Sequence, residues 1–204
     1  MSNVKLYIVR HGTTIWNKEA KYQGQTDIAL NDEGYHQAAL ISQRFASSKI
    51  KAIYSSPLQR ARITAEIIAQ PHLIVPTLLP GLLEIGFGEW EGQPYTKIRE
   101  QYSEQLKHWI QDPLHYQIPG GEPLPELRQR VSDALETILS NHNDGDVILV
   151  GHSGTIRMLF CIILNMDLSS FWRIMQFNGA VNVVEYREKI PTVFSINDIQ
   201  HLLK

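Results

Sequence analysis

Short apolar runs and helical stripes alternate along this chain of 204 residues. Leu6-Tyr7-Ile8-Val9 is an apolar run closed by Arg10-His11-Gly12, the pattern of a buried strand. Glu33 to Phe45 carries Ala38, Ile41 and Phe45 on one face and predicts a helix. Ala52-Ile53-Tyr54-Ser55 predicts a second strand. Pro57 then fits the first turn of a helix with Leu58, Ala61, Ala65 and Ile68 on its inner stripe. Leu73-Ile74-Val75 predicts a third strand, and Leu124 to Leu139 a helix carrying Leu127, Val131, Leu135 and Ile138. Asn143-Asp144-Gly145 stops that pattern, Val147 to Val150 predicts a fourth strand, and Thr155 to Leu164 a buried helix. Val181 to Tyr186 and Thr192 to Ile196 alternate, and their short link predicts an antiparallel pair. The chain therefore reads as α/β: a three-layer sandwich around a mostly parallel sheet, with antiparallel C-terminal strands.

One stretch breaks the alternation. Ile85 to Gly121 is rich in Gly, Pro, Trp, Tyr and charge, with a helix predicted near Thr96 to Ile110. A segment this long between core elements is usually functional, so it is expected to form a lid or wall over a site, open to water. Phe87, Trp90, Tyr95 and Trp109 read as packing residues of that segment. With no linker or repeat, residues 1–204 are expected to form one domain.

Composition narrows the function classes. Hydrophobic residues make up 43% and charged residues 20%, with a net charge of −2 and no Lys/Arg block. That balance predicts neither a nucleic-acid nor a membrane surface, so an anion site must be built from a few local cations. No apolar stretch is long enough to span a bilayer, and the start of the chain has no signal-peptide pattern. The single Cys161 has no internal disulfide partner and falls on a buried helix. The expected location is the cytoplasm. No Asp/His cluster has metal-ligand spacing, so neither metal nor cofactor is expected.

Two predicted strands end alike: Val9 leads into Arg10-His11-Gly12 and Val150 into Gly151-His152-Ser153-Gly154. In an open α/β sheet, ligands bind beyond the carboxyl ends of the strands, so histidines from distant parts of the chain can meet there. Glycines let the backbone approach a ligand, and helix starts favour an anion. Arg60 follows a third strand end and offers a guanidinium suited to phosphate.

These residues carry a family resemblance. Leu6 to Asn17 resembles the opening motif of the histidine phosphatase superfamily, the phosphoglycerate-mutase-like enzymes. The likeness continues through Tyr22 to Asp27, Leu30 to Gly34, Tyr54 to Ala61, Leu83 to Gly92, Gly120-Gly121-Glu122 and Val150 to Arg157, in order along the chain. It implies a phosphoglycerate-mutase-like fold and a phosphohistidine intermediate. By the same resemblance His11 is the nucleophile, and Arg10, Arg60 and His152 surround the transferred group. Asn17, Gln23 and the Ser153 backbone N–H supply further oxygen contacts, and Glu84 protonates the leaving oxygen. The Gly24-to-Gly34 stretch and Asp27 read as structural. Arg10 and Arg60 disfavour an imidazolium, keeping His11 a neutral nucleophile. Two guanidiniums and a second imidazole can stabilise the transferring group without metal.

Within the family the choice is phosphatase or cofactor-dependent mutase. Glycolytic mutases carry an Arg-His-Tyr-Gly run after the acid and a paired Arg segment further on. Here the run is Glu84-Ile85-Gly86-Phe87-Gly88, and no adjacent Arg pair follows. The pattern resembles ribazole-phosphate and broad-specificity phosphatases, and Leu168 to Ala180 resembles metal-independent phosphoserine phosphatases. The expected function is a phosphohydrolase of a small phosphorylated metabolite, with mutase action and a non-catalytic binding module as the alternatives. Ribazole phosphate, phosphoserine and phosphosugars are open as substrates, and a homodimer is an open oligomeric state.

Overall fold

The computed structural model describes residues 3–203; Met1, Ser2 and Lys204 of the expected domain lie outside it. Along the chain run β1 (Asn3–Arg10), α1 (Ile15–Lys18), α2 (Asp32–Phe45), β2 (Ile50–Ser55), α3 (Gln59–Ala69), β3 (Thr77–Leu78), α4 (Tyr95–Gln101), α5 (Ser103–Gln111), α6 (Leu124–Ser140), β4 (Asp144–Gly151), α7 (Ser153–Ile163), β5 (Val181–Arg187) and β6 (Ile190–Asp198). The strands form one sheet in the order β3-β2-β4-β1-β5-β6. The first three pairings across it are parallel and the last two antiparallel.

Side-chain alternation builds two cores from one sheet. Leu6, Ile8, Val147, Leu149 and Val184 face one side, packed against α6, α7 and residues of the 85–121 segment. Val9, Ile148, Val150, Val181 and Val183 face the other, against Ile41 and Phe45 of α2 and Ala61, Ala65 and Ile68 of α3. The middles of the central strands hold apolar side chains on both faces, most clearly Val147 to Val150, because helices cover both sides of the sheet. Among the described residues no helix is long and apolar enough to cross a membrane.

Register sets where chemistry can collect. Val9 pairs with Val150, and Ser55 also pairs with Val150. Three strands therefore end level, and His11, Ser56 and His152 leave them side by side. Backbone contact fixes the first turn: a Cβ on Gly12 would stand against the Gly34 carbonyl, and one on Gly34 against that of Thr13. α2 starts at that point because Asn31 caps it, its Oδ1 accepting from the Gly34 N–H at 2.9 Å.

Local expectations fail at three places. Leu73-Ile74-Val75 is not a strand. After Pro71 the chain turns through Leu73 in the left-handed region (φ 56), and the edge strand is Thr77–Leu78 instead. Leu73 and Val75 are left in solvent, 95% and 88% exposed, and only Ile74 packs partly against the core. Pro57 lies outside its helix, because Leu58 is the extended cap residue; the Asp27 carboxylate, read as structural, accepts from the Gln59 N–H at 2.8 Å and serves as a remote cap. The helix expected over 96–110 is two, broken at Tyr102 (φ −130, ψ 37), which lets Ile98, Leu106 and Trp109 all reach the core.

Burial at these positions predicts opposite responses to truncation. Ile148→Ala, in the middle of the sheet, should cost about 2–5 kcal/mol in urea denaturation. Leu73→Ala should stay within about 0.5 kcal/mol of the parent. A large loss at Leu73 would mean that the 73–75 segment packs as a strand after all.

Candidate active site

The carboxyl ends of β1, β2 and β4 bring His11, Arg10, Arg60 and His152 into one cluster. The His11 and His152 ring centroids are 5.0 Å apart. Burial is nearly complete: His11 is 3% exposed, His152 and Arg60 0%, and Glu84 7%. Phe87 and Trp90 turn away into an aromatic cluster, 5.0 and 5.4 Å from Tyr22. Trp109 is buried with them, as a packing role requires, while Tyr95 is 40% exposed.

Hydrogen-bond partners define both histidine tautomers. His11 Nδ1 lies 2.7 Å from the Gly12 carbonyl, which can only accept, so the proton sits on Nδ1 and the lone pair on Nε2. His152 is the reverse: Arg60 Nε donates to its Nδ1 at 3.2 Å, so Nε2–H donates to Ser56 Oγ at 2.8 Å. Burial is the main cause holding both imidazoles well below the usual histidine pKa, with Arg60 and Arg10 adding to it. Charge repulsion from the arginines, the cause foreseen from sequence, is thus second to desolvation.

The arginines are held by backbone rather than by acids. Arg60 Nη1 and Nη2 donate to the Thr26 and Gly24 carbonyls at 2.9 and 2.6 Å. Arg10 Nη1 donates to the Gln176 carbonyl at 2.6 Å, while its Nε is buried with no protein partner. Burial lowers both guanidiniums to a pKa of about 10, so they are cationic at neutral pH. A buried N–H without a partner beside two cations is a receptor for an anionic oxygen.

Glu84 reaches the same place from the loop before Ile85. Its carboxylate accepts from the N–H groups of Gly154 and Thr155 at the start of α7, both at 3.1 Å, and from its own neighbour Ile85 at 2.9 Å. Gly154 is needed there, since a Cβ would meet Glu84 Oε1 and Ile85 Cγ2. Ser153 supplies the first-turn N–H of α7 that Glu84 does not take. Asn17 comes from α1 and Gln23 from the loop after it. The Asn17 Oδ1 accepts from Thr14 N (3.0 Å) and Asn178 Nδ2 (3.0 Å), and Gln23 Oε1 from Thr14 Oγ1 at 3.1 Å. Each amide has its acceptor end tied down and its donor end unused by those partners.

Sequence reading missed several members. Asn178 Nδ2 also donates to the His11 carbonyl at 3.2 Å. Gln176 and Asn182, 2% and 0% exposed, exchange amide hydrogen bonds at 2.9 and 3.0 Å and so fix the carbonyl that holds Arg10. Ser56 orients His152. The available signal was a polar residue, Asn182, inside the apolar run Val181 to Val184.

Level strand ends, paired imidazoles and carbonyl-held arginines at the head of a six-stranded sandwich define a phosphoglycerate-mutase-like α/β protein. The family model described as Histidine phosphatase superfamily (branch 1) matches residues 6–199. The chain belongs to that superfamily and is a phosphatase. It is 33% identical over 199 residues to Phosphoserine phosphatase 1 of Hydrogenobacter thermophilus, covering 98% of this chain and 94% of that protein. The Metal-independent phosphoserine phosphatase of Arabidopsis thaliana is 33% identical over 97% of this chain and 83% of its own. A Yersinia pestis protein called Probable phosphoglycerate mutase GpmB is 31% identical, over 91% of this chain and 86% of its own. Among solved structures, a mutant phosphoserine phosphatase of Entamoeba histolytica in complex with phosphoserine superposes with a TM-score of 0.87 at 28% identity, covering 98% of this chain and 99% of that one.

The lowered histidine pKa values carry a stability signature. As pH falls below about 6.5 the unfolded chain protonates these histidines while the folded chain resists, so stability must decline. The limiting slope is about 1.4 kcal/mol per pH unit for each histidine. His11→Gln should therefore lose less stability than the parent between about pH 7.5 and pH 5.5. Equal losses in urea melts would show that His11 is not held neutral.

Proposed function

We propose that His11 Nε2 attacks the phosphorus of a small phosphomonoester, that the P–O bond to the alcohol breaks, and that Glu84 delivers the proton the leaving alkoxide needs. Water then attacks the phosphohistidine and gives a proton back to the Glu84 carboxylate. Orthophosphate departs and His11 is neutral again. The observation that carries the reading is the tautomer of His11. Its Nδ1–H is fixed on Gly12, so the nucleophilic lone pair is on Nε2, the ring nitrogen away from the backbone.

Charge on the equatorial oxygens is met by Arg10, whose Nε has no protein partner, by the unused N–H groups of Arg60, and by the Ser153 N–H. Asn17 and Gln23 offer their amide donors. A phosphoryl oxygen beside Ser56 competes for the His152 Nε2 proton, which makes His152 a stabiliser rather than the attacking base. Two guanidiniums around His11 repel a dication, so the reaction is read as metal-independent.

Phosphoserine is the substrate we favour, supported by the phosphoserine phosphatases among the relatives and by the neighbouring complex. In this reading the whole chain acts as one domain, with residues 85–121 as the cover of the site. A cytoplasmic location suits the buried, free Cys161. A homodimer is included, and the exposed Leu73 and Val75 before β3 and Leu78 within it are the apolar surface at hand for it.

His11→Ala should abolish turnover of phosphoserine and of 4-nitrophenyl phosphate, while His152→Ala keeps weak activity. More than about a hundredth of parental turnover in the His11 variant would remove its assignment as nucleophile, on the scale of ordinary acid–base losses. Activity should survive EDTA; loss restored by Mg²⁺ or Mn²⁺ would contradict the metal-free site. With 3-phosphoglycerate and catalytic 2,3-bisphosphoglycerate, phosphate release should outrun isomerisation, and the reverse would make the protein a mutase.

A further inference from the structure

Arg130 sits on α6 and belongs to none of the residues that bind phosphate in the reading above. Its guanidinium forks onto Glu122, Nε to Oε1 at 2.5 Å and Nη2 to Oε2 at 2.7 Å. Its remaining bonds go to backbone just before and at Glu84. Nη1 donates to the Gly81 and Leu83 carbonyls at 2.9 and 2.7 Å, and Nη2 to the Glu84 carbonyl at 3.0 Å. Glu122 closes the ring from the other side. Its Oε2 accepts from the Gly86 N–H at 3.2 Å, and its N–H donates to the Gly86 carbonyl at 2.8 Å. The pair is largely covered, the two side chains being 21% and 13% exposed.

Every one of these bonds ends on residues 81–86 or within the pair, and that loop carries one reactive side chain. Glu84 is therefore gripped at both ends: its carbonyl by Arg130 and Gln25, with Glu122 holding Gly86 two residues on, and its carboxylate by the N-terminus of α7. A proton donor must lie within hydrogen-bond reach of the leaving oxygen, and a displacement of about 1 Å can cost on the order of 100-fold in rate. A guanidinium forked on one carboxylate and bonded to three carbonyls is a rigid way to hold a loop to that tolerance.

We propose that the Arg130–Glu122 pair is the positioning device of the proton donor: it sets the Glu84 carboxyl against the leaving oxygen without touching substrate. The proposal rests on the reading of Glu84 as the group that protonates that oxygen. It predicts a signature that a merely structural pair would not have. Alkyl phosphates need the proton, whereas aryl phosphates with acidic leaving groups scarcely do. Disturbing the clamp should therefore slow the first far more than the second.

The test measures kcat/KM, which reports the phosphorylation step, for phosphoserine, 4-nitrophenyl phosphate and 2,4-dinitrophenyl phosphate. It compares the parent with Glu84→Gln, Glu122→Gln and Arg130→Lys. Glu122→Gln keeps the shape of the side chain, so it supplies the reading if Arg130→Lys fails to fold, and circular dichroism with Tm checks both. The expected result is a fall of about 10- to 100-fold on phosphoserine in both clamp variants. On the dinitrophenyl ester the change should be no more than about two- to three-fold, with Glu84→Gln giving the same pattern more steeply. An equal fall on all three substrates, or no fall, in Glu122→Gln overturns the proposal while leaving Glu84 in its role. A Glu84→Gln variant with no leaving-group preference overturns the reading of Glu84, and the clamp's role with it.

Discussion

Two guanidiniums lie buried at the head of the sheet, and among the described residues neither forms an ion pair. Arg60 is held by the carbonyls of Gly24 and Thr26, and Arg10 by that of Gln176. Backbone dipoles satisfy hydrogen bonds without cancelling charge, so the cluster keeps a net positive potential in a site of low dielectric. Much of the rest follows from that constraint. The two imidazoles, held neutral first by burial, are pushed further the same way, an anion is the natural ligand, and the nearby carboxylate is tied to the start of a helix rather than to either arginine.

Holding cations with carbonyls also explains why the loops around the site are so specified. The 22–27 loop must present two carbonyls inward, and Gly24 does so at φ 52 with Glu91 packed where a Cβ would be. Glu91 in turn accepts from the N–H groups of Gln25 and Thr26 at 3.0 and 2.9 Å, which ties this loop to the segment after Glu84. The aromatic cluster of Tyr22, Phe87 and Trp90 fills the space behind it. The aromatic residues of the 85–121 stretch thus support the walls of the pocket rather than line it.

This logic divides what could be read from the chain from what could not. Strands such as Val147 to Val150 were legible because both faces are covered, so apolar continuity is a direct imprint of the fold. His11, His152 and Arg60 were legible because strand ends place them and their residue types are chemically rare in such positions. Leu73-Ile74-Val75 misled because β-propensity describes side chains, while the left-handed turn at Leu73 is a decision of the backbone. Arg130, Gln176, Asn178 and Ser56 escaped for one reason: their partners, main-chain carbonyls and side chains distant along the chain, leave no mark in residue identity. The tautomers escaped too, since a proton's place on a ring depends on which atom faces it.

Asn178 precedes Gly179, and an asparagine before glycine is the pairing most prone to lose its amide, because nothing on the following residue hinders ring closure by its nitrogen. Here that nitrogen is engaged: the Gly179 N–H donates to the carbonyls of Arg10 and His11 at 3.2 and 3.1 Å. Chemical ageing at this bond therefore requires those two hydrogen bonds to open first. Once the amide is lost, a donor to the His11 carbonyl becomes a carboxylate facing oxygens beside the cationic cluster. The hydrogen bonds that seat Arg10 and His11 thus also shield the chain from its own chemistry.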